Sequence, residues 1–264
     1  MILNGKNLKY RPFSDPRGKP GTSGQLSIGT DPNRNRYLIK RKPMDVANEY
    51  VAHNLAKLIG VPTSQAVLVK DNDSVFVGIA YEKDFKRANL DDFIGTESYD
   101  VDDVKFYGFK PTVIPKAGKY PDNDPYLARV MAFMAFRNLI KLDDNPQLAF
   151  VEEDLISFDY AESFSLDEES FNFMRVYKYP HQAVKNFNSY YSLENTYENA
   201  LEVLHRPDTD FLRDAYYSPI LAFREAKFLY ILEELDSVFP HVIPEFYASC
   251  FETIWQEIDN LLKS

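Results

Sequence analysis

The sequence predicts an α+β protein in two lobes, a small strand-rich N-terminal lobe with one helix and a mainly helical C-terminal lobe. Three observations predict it. Before residue 80, short runs alternate apolar and polar residues or gather apolar β-formers between turn signals. Among them the stretch Asp45 to Ile59 places its apolar residues at helical spacing. After a segment punctuated by Pro and Gly, long apolar stretches run to the C-terminus. At 264 residues, 45% hydrophobic and 15% aromatic, the chain can bury a substantial core as one large domain or two small ones.

The elements follow in order. Residues 1 to 30 are rich in Gly, Pro, Ser and Asp and read mostly as loop. A strand is expected from Arg36 to Arg41, with Tyr37 and Ile39 on one face. In the helix from Asp45 to Ile59, Asp45 is suited to accept the free amide hydrogens of the first turn, and Pro43 precedes it. Val46, Tyr50, Val51, Leu55 and Leu58 form its apolar stripe. Gly60 suits a left-handed exit and Pro62 prevents the helix from resuming. Strands are expected at Gln65 to Val69 and Val75 to Ile79, around the turn Asp71-Asn72-Asp73.

The lobe boundary is expected near residue 86, giving lobes 1–86 and 87–264, with 87–124 a linker or surface insertion. Tyr126 to Leu142 reads as a buried helix that runs into the turn Asp143-Asp144-Asn145-Pro146. A hairpin pairs Leu148 to Val151 with Leu155 to Phe158 across Glu152-Glu153-Asp154. The tail reads as helices, chiefly Pro219 to Val238 and Pro244 to Leu262.

Composition narrows the function. A net charge of −10 argues against a general nucleic-acid binder, which needs a basic surface to neutralise phosphates. The local basic run Arg34, Arg36, Lys40, Arg41 and Lys42 reads as a solvated strand edge. One cysteine, Cys250, cannot form an internal disulfide and suits a reducing compartment. Met1 to Tyr10 holds no apolar stretch long enough for a signal peptide, and nowhere do about 18 apolar residues run together. A cytoplasmic protein without membrane contact is expected.

The residues that can carry chemistry lie in the same order. Lys40 ends a strand that follows the small-residue loop Gly21-Thr22-Ser23-Gly24-Gln25, whose backbone amides can approach phosphate closely around Thr22, Ser23 and Gly24. Taken alone, Lys40 also reads as a solvated surface lysine. Glu49 reads either as its partner or as an exposed first-turn acid favoured by the helix dipole. Glu49 and His53 stand four apart on one helix face, a metal-ligand spacing, but no further His or Cys stands near and the pair reads as a surface feature. The dense aromatic segment containing Phe171, Phe173, Tyr177, Tyr179, Phe187, Tyr190, Tyr191 and Tyr197 fits core packing or a partner-binding surface.

Three motifs resemble HipA-like kinases. Ile39-Lys40, then Asn48-Glu49-Tyr50-Val51-Ala52 and Leu55-Ala56-Lys57-Leu58-Ile59-Gly60-Val61-Pro62, are similar to that family's N-terminal lobe. Asn138 to Leu148 resembles its catalytic loop, Asn-x-Asp-Arg, three residues, then Asn-Pro-Asn-Leu. Ile156-Ser157-Phe158-Asp159-Tyr160-Ala161 resembles its metal-binding segment. The resemblance implies a two-lobed kinase-like fold that binds ATP and magnesium, with Lys40 on the phosphates and Asn145 and Asp159 on the metal. It also implies a protein partner or substrate, a toxin–antitoxin or stress context, and backbone groups near Ile79 to Glu82 that meet an adenine ring. The departures imply weakened chemistry. The catalytic Asp position holds Ile140, the adjacent Arg is Lys141, and Gln147 replaces the second Asn. Asp143 and Asp144 read as turn residues, with Asp143 the one substitute base on offer. A kinase with weakened or rerouted phosphoryl transfer is therefore expected, or a pseudokinase that serves as a nucleotide-regulated binding module.

Overall fold

Each N-terminal strand has an apolar face to hide, and sheet formation hides it. The computed structural model describes residues 2–13, 26–81, 84–95, 120–143 and 147–263. Strands β1 (Ile2–Asn4), β2 (Lys9–Pro12), β3 (Ser27–Thr30), β4 (Arg36–Lys40), β5 (Ala66–Asp71) and β6 (Ser74–Ala80) form one sheet in the order β1-β5-β6-β4-β3-β2. β1 runs parallel to β5, and all other neighbours are antiparallel. The expectation that residues 1 to 30 are mostly loop is corrected by β1, β2 and β3. β2 is an edge strand with all four residues exposed, so it has no buried face to impose a readable period.

The period of two along β4 decides which way Lys40 faces. Tyr37 and Ile39 are buried with Leu8, Val67 and Val69 on one side of the sheet. Leu38 and Lys40 therefore point to the other side, where α1 (Pro43–Leu58) packs across β5 and β6. Asp45 does not cap this helix, contrary to expectation. Pro43 fits the first helical position, where its missing N–H is not needed, so the helix starts two residues early and Asp45 lies within the first turn. At the other end Gly60 takes a φ of +79°, and Val61 N donates to Ala56 O at 2.8 Å, closing the left-handed cap.

A second, antiparallel sheet joins β7 (Lys86–Ala88), β8 (Gln147–Val151) and β9 (Asp154–Phe158). β7 thus draws the start of the stretch read as a linker or insertion into the fold; residues 96–119 of that stretch lie outside the described residues. The remaining helices are α2 (Pro125–Leu139), α3 (Glu168–Tyr177), α4 (His181–Tyr190), α5 (Thr196–Leu204), α6 (Asp210–Glu225), α7 (Leu229–Asp236) and α8 (Val242–Leu261). Pro219 lies inside α6 rather than at a helix start, because Thr209 caps the helix and burial of Pro219 against its neighbours offsets the lost hydrogen bond. α2 ends at Leu139, three residues short of expectation, where Ile140 caps it and Lys141 turns left-handed at φ 51°.

One apolar core joins the two lobes. Val46, Tyr50 and Leu55 of α1 lie in the same buried cluster as Met131 and Phe136 of α2 and Phe246 of α8. Cys250 is buried in α8, as expected. Phe171, Phe187, Tyr191 and Tyr197 are core residues, whereas Phe173, Tyr177 and Tyr179 are exposed. In the basic run, Arg36 stacks on Tyr81, Arg41 lies over Tyr10 and Phe76, and Lys42 pairs with Glu168. Among the described residues no helix is long and apolar enough to cross a membrane.

Candidate functional site

Where β4 ends, the Lys40 ammonium meets two carboxylates. Glu49 Oε1 reaches it from α1 in a short contact, and Asp159 Oδ1 reaches it at 2.7 Å from the turn after β9. Lys40 and Asp159 are 119 positions apart in the chain, so only the folded protein joins them. The three side chains are graded from core to solvent: Glu49 is fully buried, Lys40 is 12% exposed and Asp159 is 46% exposed. The exposed first-turn reading of Glu49 is thereby corrected in favour of the pair with Lys40.

Charge in this cluster is self-consistent. Burial works against an ionised Glu49, but the Lys40 ammonium and His53 outweigh it and hold the carboxyl well below the usual range. Burial likewise opposes the Lys40 charge, yet Glu49 and then Asp159 reverse the balance and raise the ammonium above an ordinary lysine. Lys40 is therefore a fixed cation and not a proton acceptor. An ammonium suits phosphate oxygens, and an exposed carboxylate suits a hard divalent cation, so the donor set fits a metal–phosphate ligand.

The turn that carries Asp159 is anchored on both sides. Asp159 is left-handed at φ 66°, a conformation Asp adopts more readily than most residues. Tyr160, 1% exposed, fills the core beside it, with its ring edge-on to His53 at 4.7 Å and to Phe136 at 5.5 Å. On the far side, buried Asn48 donates its amide to Ala161 O at 2.7 Å and accepts from the Tyr247 hydroxyl at 2.6 Å. β9 itself is tied to the loop after α1, where Ser157 N donates to Pro62 O at 3.1 Å.

Other expected positions fare differently. Ile140 is fully buried in the main core, and its carbonyl accepts from Phe164 N at 2.5 Å. Asn138, at the start of the catalytic-loop motif, donates to the Tyr216 hydroxyl at 2.8 Å. Asp143 is exposed in a bend, and its carbonyl accepts from Arg137 at 3.1 Å. Thr22, Ser23, Gly24 and Asn145 lie outside the described residues. The surface reading of Glu49 and His53 is corrected: both are buried, and their side chains stand 3.1 Å apart. Sequence reasoning also passed over Asn48 and Thr63 as contributors, though Asn48 lay within the quoted Asn-Glu motif.

No protein-family model and no curated protein matches the chain. Among solved structures, the Helicobacter pylori proinflammatory kinase CtkA is similar at 12% identity and a TM-score of 0.56, over 98% of this chain and 96% of that one. HipA of Shewanella oneidensis MR-1, solved with HipB and operator DNA, is 11% identical over 96% of this chain and 63% of that one, at a TM-score of 0.42. A Golgi casein kinase is 11% identical over 90% of this chain and 68% of that one, at a TM-score of 0.36. The last two are too distant to carry weight. The likeness to CtkA shows the fold: α+β, two-lobed and kinase-like, as the sequence predicts.

Proposed function

We propose that the chain is a HipA-like, kinase-fold phosphotransferase that binds ATP with magnesium and acts slowly on a protein acceptor. The observation that carries the reading is Lys40, clamped between a buried and an exposed carboxylate that come from opposite lobes. In this reading the Lys40 ammonium holds phosphate oxygens, and Glu49 orients the lysine. Backbone amides around Thr22, Ser23 and Gly24 cover the phosphates. Asp159 and Asn145 hold the metal, and what bound magnesium supplies is positive charge against the phosphate oxygens. Asp143 is the substitute base. Ile140 can neither accept a proton nor orient a hydroxyl, and loss of a base typically costs about two to four orders of magnitude in rate.

Thermal denaturation tests the reading. A ligand at about 100 times its dissociation constant stabilises by about 2.7 kcal/mol, so ATP–Mg is expected to raise the melting temperature in a dose-dependent way. The shift is expected to vanish in Asp159→Ala. No shift in the native protein removes the reading.

The full burial of Ile140 favours a second one, the pseudokinase, in which nucleotide only tunes a partner-binding surface. The exposed Phe173, Tyr177 and Tyr179 are the apolar residues such a surface would use. Labelled ATP distinguishes the two. Turnover abolished by Asp143→Ala excludes the pseudokinase, and binding without turnover excludes the enzyme.

A further inference from the structure

On the side of Glu49 away from Lys40 lies a histidine that the proposed chemistry leaves unused. His53 follows Glu49 by one turn of α1 and is 1% exposed. Its Nδ1 stands 2.7 Å from Thr63 Oγ1, and its Nε2 stands 3.1 Å from Glu49 Oε2. The hydroxyl of Thr63 has one hydrogen, and it points at the Ser157 carbonyl 3.0 Å away. Thr63 therefore meets Nδ1 with a lone pair, so Nδ1 carries a hydrogen. Nε2 lies at ion-pair range, off the line of an ideal hydrogen bond, and a bare lone pair there would repel the carboxylate. Nε2 carries a hydrogen as well. Of the ring's protonation states, only the imidazolium suits both neighbours.

Glu49 thus has a cation for each oxygen. The pairing matters because Lys40 is shared with Asp159 and, in the reading above, must turn to phosphate when nucleotide arrives. A fully buried carboxylate with Lys40 as its only counter-charge would then be stranded, which is the costly way to break a buried pair. His53 supplies a counter-charge that stays in place. The contacts also form a chain, Lys40–Glu49–His53–Thr63–Ser157, that ends two residues before Asp159. The Tyr160 hydroxyl stands 3.4 Å from Thr63 Oγ1, and its ring covers the flank of the imidazole.

We infer that His53 is a positioning residue: a doubly protonated ring that keeps Glu49 partnered while Lys40 engages phosphate, and that ties both to the strand leading into Asp159. This role rests on the ATP–Mg reading.

The test uses the full chain with 15N-labelled histidine, together with His53→Gln and His53→Asn. Glutamine places an amide donor where Nε2 stood, toward Glu49; asparagine places one where Nδ1 stood, toward Thr63. In long-range proton–nitrogen spectra at neutral pH, the His53 signal, assigned by its loss in His53→Gln, is expected to show hydrogen on both nitrogens. A neutral ring overturns the inference. By calorimetry, both variants, which lose the charge, are expected to bind ATP–Mg about tenfold or more weakly than the native protein, the size of a hydrogen bond to a charged group, with His53→Asn the weaker because it leaves Glu49 without a donor as well. Native ATP–Mg affinity in either variant, with a melting curve like the native protein's, overturns it. Failure of the native protein to bind ATP–Mg sinks the nucleotide reading, and this role with it, even where the spectrum shows an imidazolium.

Discussion

Lys40, Glu49 and Ile140 carry the account at the scale of single residues. Glu49→Ala leaves the Lys40 ammonium and the His53 ring without their shared buried anion, so a loss of about 3–5 kcal/mol is expected in urea unfolding. A loss under about 1 kcal/mol would show that the pair contributes little. Ile140→Asp restores the acid that the resembled catalytic loop has at this position, but it puts an unpaired carboxylate where no solvent reaches. It is expected to destabilise by about 3 kcal/mol or more without raising phosphoryl transfer. A stable variant with faster turnover would mean that the loop rearranges around the acid. Lys40, Glu49 and Asp159 were legible in the sequence because the motifs around them resemble those of HipA-like kinases, and that resemblance implies a strand lysine, a helix acid and a post-strand Asp at one site. His53 was not legible in its role. Its spacing from Glu49 was plain, but its burial depends on Tyr160, which follows it by more than 100 positions and packs against the imidazole.

Elements with a clear apolar period announced themselves, whereas the short strands β1, β2, β3 and β7 did not. α1, β4, β5, β6 and the hairpin β8–β9 follow from apolar period and turn residues, to within a few residues at their ends. β1 and β2 could not be read, because short edge strands with polar or exposed residues look like loop. The helix exit at Gly60 makes a clean test of local backbone reasoning. A Cβ there meets nothing within 4 Å, so Gly60→Ala is charged only with the left-handed backbone. The expected cost is about 1–2 kcal/mol, measured as a shift in urea midpoint. A neutral result would mean that the exit turn relaxes into another conformation.

For the molecule as a whole, the lobes meet through α1, which shares its core with the C-terminal helices and holds the charged cluster at its edge. Stability against pH follows from the signs of two shifts. Glu49 is depressed, so its contribution is complete above the unfolded value of about 4.3 and is lost as pH falls through the folded one. Lys40 is raised, so its contribution is complete below about 10.4 and is lost as pH rises through its folded value. Both are whole across the neutral range, and the native protein is expected to lose more stability on acidification below about pH 4 than Glu49→Ala does. Identical acid limbs would remove Glu49 from the balance. The most direct measurement is a crystal structure of the chain soaked with magnesium and a non-hydrolysable ATP analogue. The account predicts the Lys40 ammonium within hydrogen-bond reach of a phosphate oxygen and a metal bound to the Asp159 carboxylate. A saturated crystal with no nucleotide between the lobes, and with Lys40 still joined to Asp159, would contradict it.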